Sequence, residues 1–199
     1  MNYGDLKNYL RTLVNRTDFP DTLAAQFIEQ SQVRIERRLR LTAMERFVDF
    51  TLTNGAFRVP SDLLDIIDIW TGSREMERVD TSRYLKTSEG PGEPRVFFQS
   101  GHKLYMRPVP PADMPVKMRY YAAQPRLATN ADTNLWSLSA VDALIYGAAE
   151  LAGDYYEDER LARYSQKFET SMLELEEQSY REDFSGPMTV SASYSYPED

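Results

Sequence analysis

The chain reads as an α+β protein, and three observations predict that class. Apolar residues recur every three or four positions across 5–39 and again from about Ser139 onward. Between those regions they alternate with a period of two, most clearly where Val116, Met118 and Tyr120 interleave with Lys117, Arg119 and Tyr121. The strand signals are not separated by the long helical crossovers that parallel strands require, so the sheet is expected to be antiparallel.

Taken in order, the first helix covers 5–16, with Leu6, Tyr9, Leu10, Leu13 and Val14 on one face. Pro20 stops it, because proline disfavours helix at the residue before it. A second helix opens near Asp21 or Thr22 and carries Leu23, Phe27, Ile28, Ile35 and Leu39. Its far end, 34–40, is basic, which suits a helix C-terminus. Arg37, Arg38 and Arg40 then form either a solvated end matched to the helix dipole or a contact for an acidic partner surface.

Strand signals follow over 45–53, 56–60 and 61–70, with Asn54-Gly55 as a hairpin turn between the first two. A further short strand fits 75–79, and Asp80 is placed to open a short helix over 80–86. Residues 88–94 are a loop by composition. Strands at 95–99 and from Lys103 complete the sheet. Pro108, Pro110 and Pro111 break the ladder, because proline has no N–H to donate.

After Pro125 comes a polar loop, 129–134, followed by the clearest element, a helical pair. Val141, Leu144, Ile145, Ala148, Leu151, Ala152 and Tyr155 form one stripe; Leu161, Tyr164, Phe168, Met172 and Leu175 form the other. Such stripes pack on each other across a tight acidic connection at 153–158. From Asp183 helical periodicity ends. Met188, Val190, Tyr194 and Tyr196 then sit at alternating positions, the pattern of an extended arm that docks on another chain.

Composition narrows the function. The 199 residues suffice for one sizeable core or two intimately packed lobes. No apolar run approaches the ~20 residues of a membrane span, and the first residues do not resemble a secretory signal. With no cysteine there is no disulfide, thiolate nucleophile or cysteine-based zinc site, which suits a reducing cytoplasm. The net charge is −8, and 141–183 alone, with twelve acids against four bases, accounts for all of it. A face so acidic argues against phosphate binding, which needs clustered Lys and Arg.

Catalytic signatures are missing. The lone His102 falls in a turn beside no acid that would orient it, and one histidine cannot build a metal cluster with the usual spacing. No glycine pattern matches a phosphate-binding loop or a nucleophile elbow. Paired carboxylates for glycoside hydrolysis are the one enzymatic alternative, so a tail-associated polysaccharide or peptidoglycan hydrolase is the second reading. A cytoplasmic regulator with a protein-binding helical lobe is the third. Neither an enzymatic activity nor a cofactor or metal is expected.

The order of features is more specific than any one of them. Asn54-Gly55, then Val59-Pro60-Ser61-Asp62, Leu104-Tyr105, Tyr120-Tyr121 and the alanine-rich helix at 143–152 resemble the head-to-tail adaptors of short-tailed phages. Those proteins are also called tail tubular protein A or head completion proteins, and the likeness covers roughly 1–182. It implies a helical bundle, two helices from each end of the chain, with an inserted antiparallel sheet and an extended C-terminal arm. The lobes would be 1–45 with 137–182, then 46–136, then the arm at 183–199.

The resemblance also implies a role. About twelve copies would form a ring in the virion neck, joining portal protein to tail nozzle protein, assembled in the host cytoplasm. Genomic DNA would pass through its acidic lumen without specific binding, and no membrane is involved. Arg37, Arg38 and Arg40 of one subunit would meet Glu174, Glu176 or Glu177 of the next. Phe184, Met188, Val190, Tyr194 and Tyr196 would hold the arm on the portal. The segment 129–136 would be a hinge between sheet and helices, pinned by Leu135 and Trp136.

Overall fold

In the computed structural model, which describes residues 1–183, two helices come first, α1 (Tyr3–Val14) and α2 (Asp21–Arg38). Asn2 caps α1 by accepting the Asp5 N–H at 2.8 Å, and Asn15 ends it with a left-handed φ of 54°. A 3-10 turn (Thr42–Met44) leads into β1 (Glu45–Leu52), β2 (Ala56–Arg58), β3 (Leu63–Thr71), β4 (Arg74–Glu75) and β5 (Glu77–Arg78). Asp80 caps the short α3 (Thr81–Lys86) through the Arg83 N–H. Then come β6 (Val96–Ser100), β7 (Lys103–Arg107), β8 (Met114–Ala122), α4 (Leu135–Ser139), α5 (Val141–Tyr155) and α6 (Leu161–Asp183).

The class is α+β, as expected, but the strands do not form one run of hairpins. They make two four-stranded sheets, ordered β1-β8-β3-β4 and β2-β7-β6-β5. All pairings are antiparallel except β5 with β6. Asn54-Gly55 does turn the chain, with φ of 54° and 68°, yet it is a corner rather than a hairpin tip. Only a Thr53–Ala56 bridge joins its arms before β1 and β2 enter different sheets. The strand expected at 75–79 divides in the same way. Met76 is buried between β4 and β5, which belong to opposite sheets.

The two sheets share one core in which Ile69, Val116 and Met118 meet Phe97, Leu104 and Met106. A second core lies among the helices and includes Leu6, Phe19, Ile28, Trp136, Leu144 and Phe168. The tightest helical contact is at Gly147 of α5. A Cβ there would lie 2.3 Å from Ser31 Oγ and 2.9 Å from the Phe168 ring, so α2, α5 and α6 converge on a residue without a side chain. Ser31 Oγ donates to the Leu144 carbonyl at 2.9 Å across the same crossing.

Sheet and helices meet at Glu36. It is only 3 % exposed, and its Oε1 accepts from Gln32 Nε2 at 2.9 Å, the Gln124 N–H at 3.1 Å and Trp136 Nε1 at 3.1 Å. Arg126 stands 3.5 Å from Oε2. Asn134 donates to Gln32 Oε1 and to the Pro125 carbonyl while its own carbonyl group accepts the Ser137 N–H, which starts α4. Helical structure therefore begins four residues earlier than the sequence spacing suggests. Trp136 is fully buried. The preceding loop is also tied down, because Tyr3 and Gly4 donate to the carbonyls of Asp132 and Asn130. Within it the Thr129 hydroxyl and the Thr129 and Ala128 amides hold the Asp132 carboxyl below its usual range.

A second tie closes the α5–α6 turn onto α1. Arg160 Nη1 and Nη2 donate to the Leu13 and Val14 carbonyls, which have no partner within their own helix. Its guanidinium and backbone N–H also donate to Asp158, lowering that carboxyl from 3.8 to about 2. Because the folded value lies below the ordinary one, the stabilisation is complete above about pH 4 and is lost as pH falls towards 2.

Two outcomes are expected. Glu36→Ala leaves the Trp136 and Gln124 N–H groups without their acceptor, while Gln32 Nε2 keeps the Gln124 carbonyl, and should lower unfolding free energy by ~3–5 kcal/mol in urea titrations. Glu36→Gln keeps an acceptor oxygen and should lose less. The urea midpoint of Asp158→Asn should fall below that of the unaltered chain at pH 6, and the gap should close on acidification below pH 4.

Candidate assembly surfaces

Three surfaces carry the residues that could contact other chains. The first is the end of α2 against α6. Arg38 Nη1 donates to both carboxylate oxygens of Glu169, at 2.8 and 2.7 Å, and Nε stands 3.6 Å from Glu176. Arg40 turns back instead and donates to the Glu36 and Leu39 carbonyls, so it serves the open end of its own helix. Arg37 is exposed at a shallow depression beside Glu29, Gln30 and Val33. Glu174 is exposed on the far side of α6, at a depression shared with Tyr146, Arg163 and Lys167. Within the chain, then, Arg38 and Glu176 come together, whereas Arg37 and Glu174 lie on separate patches. Glu177 is exposed on α6.

The second surface is acidic. Asp142, Asp154, Glu157, Glu159, Glu169, Glu174, Glu176 and Glu177 are all exposed on α5, α6 and the turn between them. They lie on more than one side of the bundle, with Glu169 and Glu176 at Arg38 and Glu174 beside Arg163 and Lys167, and together they make its surface acidic.

The third was not anticipated from the sequence. The outward face of β1, β8 and β3 holds an open groove of about 590 Å³ lined by Phe47, Asp49, Asp68, Trp70, Pro115 and Lys117, among others. Register explains it. Phe47 pairs with Arg119, which pairs with Asp68, while Asp49 pairs with Lys117, which pairs with Trp70. Arg119 joins Asp68 at 2.6 Å and Glu45 at 3.5 Å, and the bond to Asp68 pushes its guanidinium further above its usual range. Lys117 stands 3.7 Å from Asp49, so both carboxylates of the groove face a cation. Phe47 is 67 % exposed. An aromatic at a polar position of an alternating strand was the available signal. Two register shifts in β3 hid the cross-strand rows.

His102 is exposed in the turn between β6 and β7. The arm residues Phe184, Met188, Val190, Tyr194 and Tyr196 lie outside the described residues.

A family model described as SU10 adaptor protein matches residues 1–191. No curated protein matches the chain.

The Arg38–Glu169 pair is exposed on both sides, at 39 % and 51 %, so solvent screens it. Arg38→Ala should change unfolding free energy by less than ~1 kcal/mol in urea titrations. A larger loss would make the pair a folding contact rather than an available surface.

Proposed function

We propose that this chain, which belongs to the SU10 adaptor protein family and is thereby a structural adaptor of phage virions, builds the ring between portal and tail nozzle. The match over 1–191 is the observation that carries this reading, since it spans every described element. About twelve copies close the ring through heterologous contacts, in which different patches of neighbouring subunits meet. The helical segments 1–45 and 137–182 form its wall, and the sheets at 46–136 face the tail.

The separate placement of Arg37 and Glu174 suits such a contact, because a cationic patch of one subunit can face an anionic patch of the next. Arg38 and Arg40 support it from within, and Glu176 and Glu177 extend the acidic partner. Exposed ion pairs of this kind set register more than affinity. Where the acidic side of α5 and α6 lines the channel, DNA slides past a surface of its own sign and does not adhere. The arm, with Phe184, Met188, Val190, Tyr194 and Tyr196, anchors the ring on the portal, as aromatics do at interfaces. Assembly takes place in the host cytoplasm and the product resides in the virion neck. Among the described residues no helix is long and apolar enough to cross a membrane.

Electron microscopy and native mass measurement of the chain mixed with purified portal rings should reveal an added ring on one portal face. Chains that remain unbound over micromolar concentrations of both partners would refute the reading.

A further inference from the structure

Among the described residues, the sheet of β1, β8, β3 and β4 has one long open side. β1 lies at its edge, is eight residues long and pairs, among the described residues, with β8 alone. Its unpaired backbone groups are a template for another strand, and folded proteins cover or blunt such edges. The opposite edge offers little, because β4 has only two residues. Phe47 on β1 adds exposed aromatic surface beside the groove that reaches Trp70 and Pro115.

The course of α6 points to what covers that edge. Arg34 lies over the Phe168 ring at 4.7 Å, and Arg38 meets Glu169 and then Glu176, so α6 runs alongside α2 in the same direction. α2 leads through Thr42–Met44 directly into β1, and α6 packs on that turn. The end of α6 is thus on the side of the molecule where β1 begins.

The sequence that follows is a strand pattern of matching length. Met188, Val190, Ala192, Tyr194 and Tyr196 alternate strictly with Thr189, Ser191, Ser193 and Ser195. Pro187 and Pro197 bracket these nine residues, and proline, lacking an N–H, bounds a paired strand. The link at 184–187 reaches up to roughly 14 Å when extended.

We propose that, in the free protein, residues 188–196 pair along the open edge of this chain's own β1, with Met188, Val190, Tyr194 and Tyr196 packed on the Phe47 side. The pairing supplies backbone hydrogen bonds, and the alternating side chains supply its register. A short covalent link favours the same chain over a second copy, because it keeps the segment at a high effective concentration. Residues committed to β1 cannot also lie on another chain. Under the portal reading, which the pairing itself does not require, docking of the arm there uncovers the edge.

Hydrogen exchange on the full chain tests this without any portal protein, so failure of the portal reading leaves the result unaffected. A Val190→Pro, Ser191→Pro variant removes a donor to β1 whichever alternate residues of the added strand point their N–H at it. Amides of β1 that face the open edge should exchange roughly tenfold faster in it than in the unaltered chain, with α2 and α5 amides unchanged as a control for folding. Protection in the unaltered chain should be the same over a hundredfold range of protein concentration. Equal β1 exchange in the two proteins would overturn the proposal, and so would protection that rises with concentration, which would assign the edge to a second copy.

Discussion

Burial of the Glu36 carboxylate is the constraint on which the arrangement of the two cores depends. A charge removed from water is tolerated only where donors replace its hydration, and here they come from three places in the chain. Gln32 is one turn back on α2, Gln124 is just past the end of β8, and Trp136 is in the first turn of α4. Each donor belongs to a segment that has to arrive in place for the site to be satisfied. The carboxylate thereby joins the exit of the sheets to the helix entering them. Trp136 contributes twice, filling the helical core with its ring while its N–H meets the carboxylate. Asn134 ties Gln32 to Pro125 and starts α4, and the segment expected to be pinned at Trp136 is held there by a fully buried ring.

These hydrogen bonds set the angle between sheets and bundle in the structure. The charge distribution follows a similar division. In the sheets, cations and anions are paired in rows, as with Glu45, Arg119 and Asp68. On α5, α6 and the turn between them most acids face solvent and outnumber the nearby cations, of which Arg34 pairs with Glu150, Arg38 with Glu169 and Arg160 with Asp158. The unbalanced charge is thus left on the outside of the bundle, where it acts on whatever faces that side.

Much of the fold was legible. The limits of α2, the Asp80 cap of α3 and the two stripes of α5 and α6 all follow from local rules about proline, capping and periodicity. The corner at Asn54-Gly55 was not, because turn chemistry specifies backbone dihedrals and says nothing about which sheet each arm joins. Nor were the groove residues. Phe47, Trp70 and Pro115 are distant in sequence, and they meet only because β8 lies between β1 and β3. Arg38 shows the same limit on the helical side. Its basic neighbourhood was visible, but that it pairs with Glu169 depends on α6 lying alongside α2.

By itself, then, the sequence determined the α+β class, the helical ends and stranded middle, and the acidic bias of the last helices. Each of these rests on spacing or composition within a few turns of chain. Only the tertiary structure decided that the strands split into two sheets, that β8 sits at the centre of one and that β1 is left at its edge. Strand pairing over such separations is set by which faces bury best against one another, a comparison among distant segments that no local pattern contains. For the same reason Glu36, an ordinary acid in a helical repeat when read along the chain, became the buried junction of the molecule.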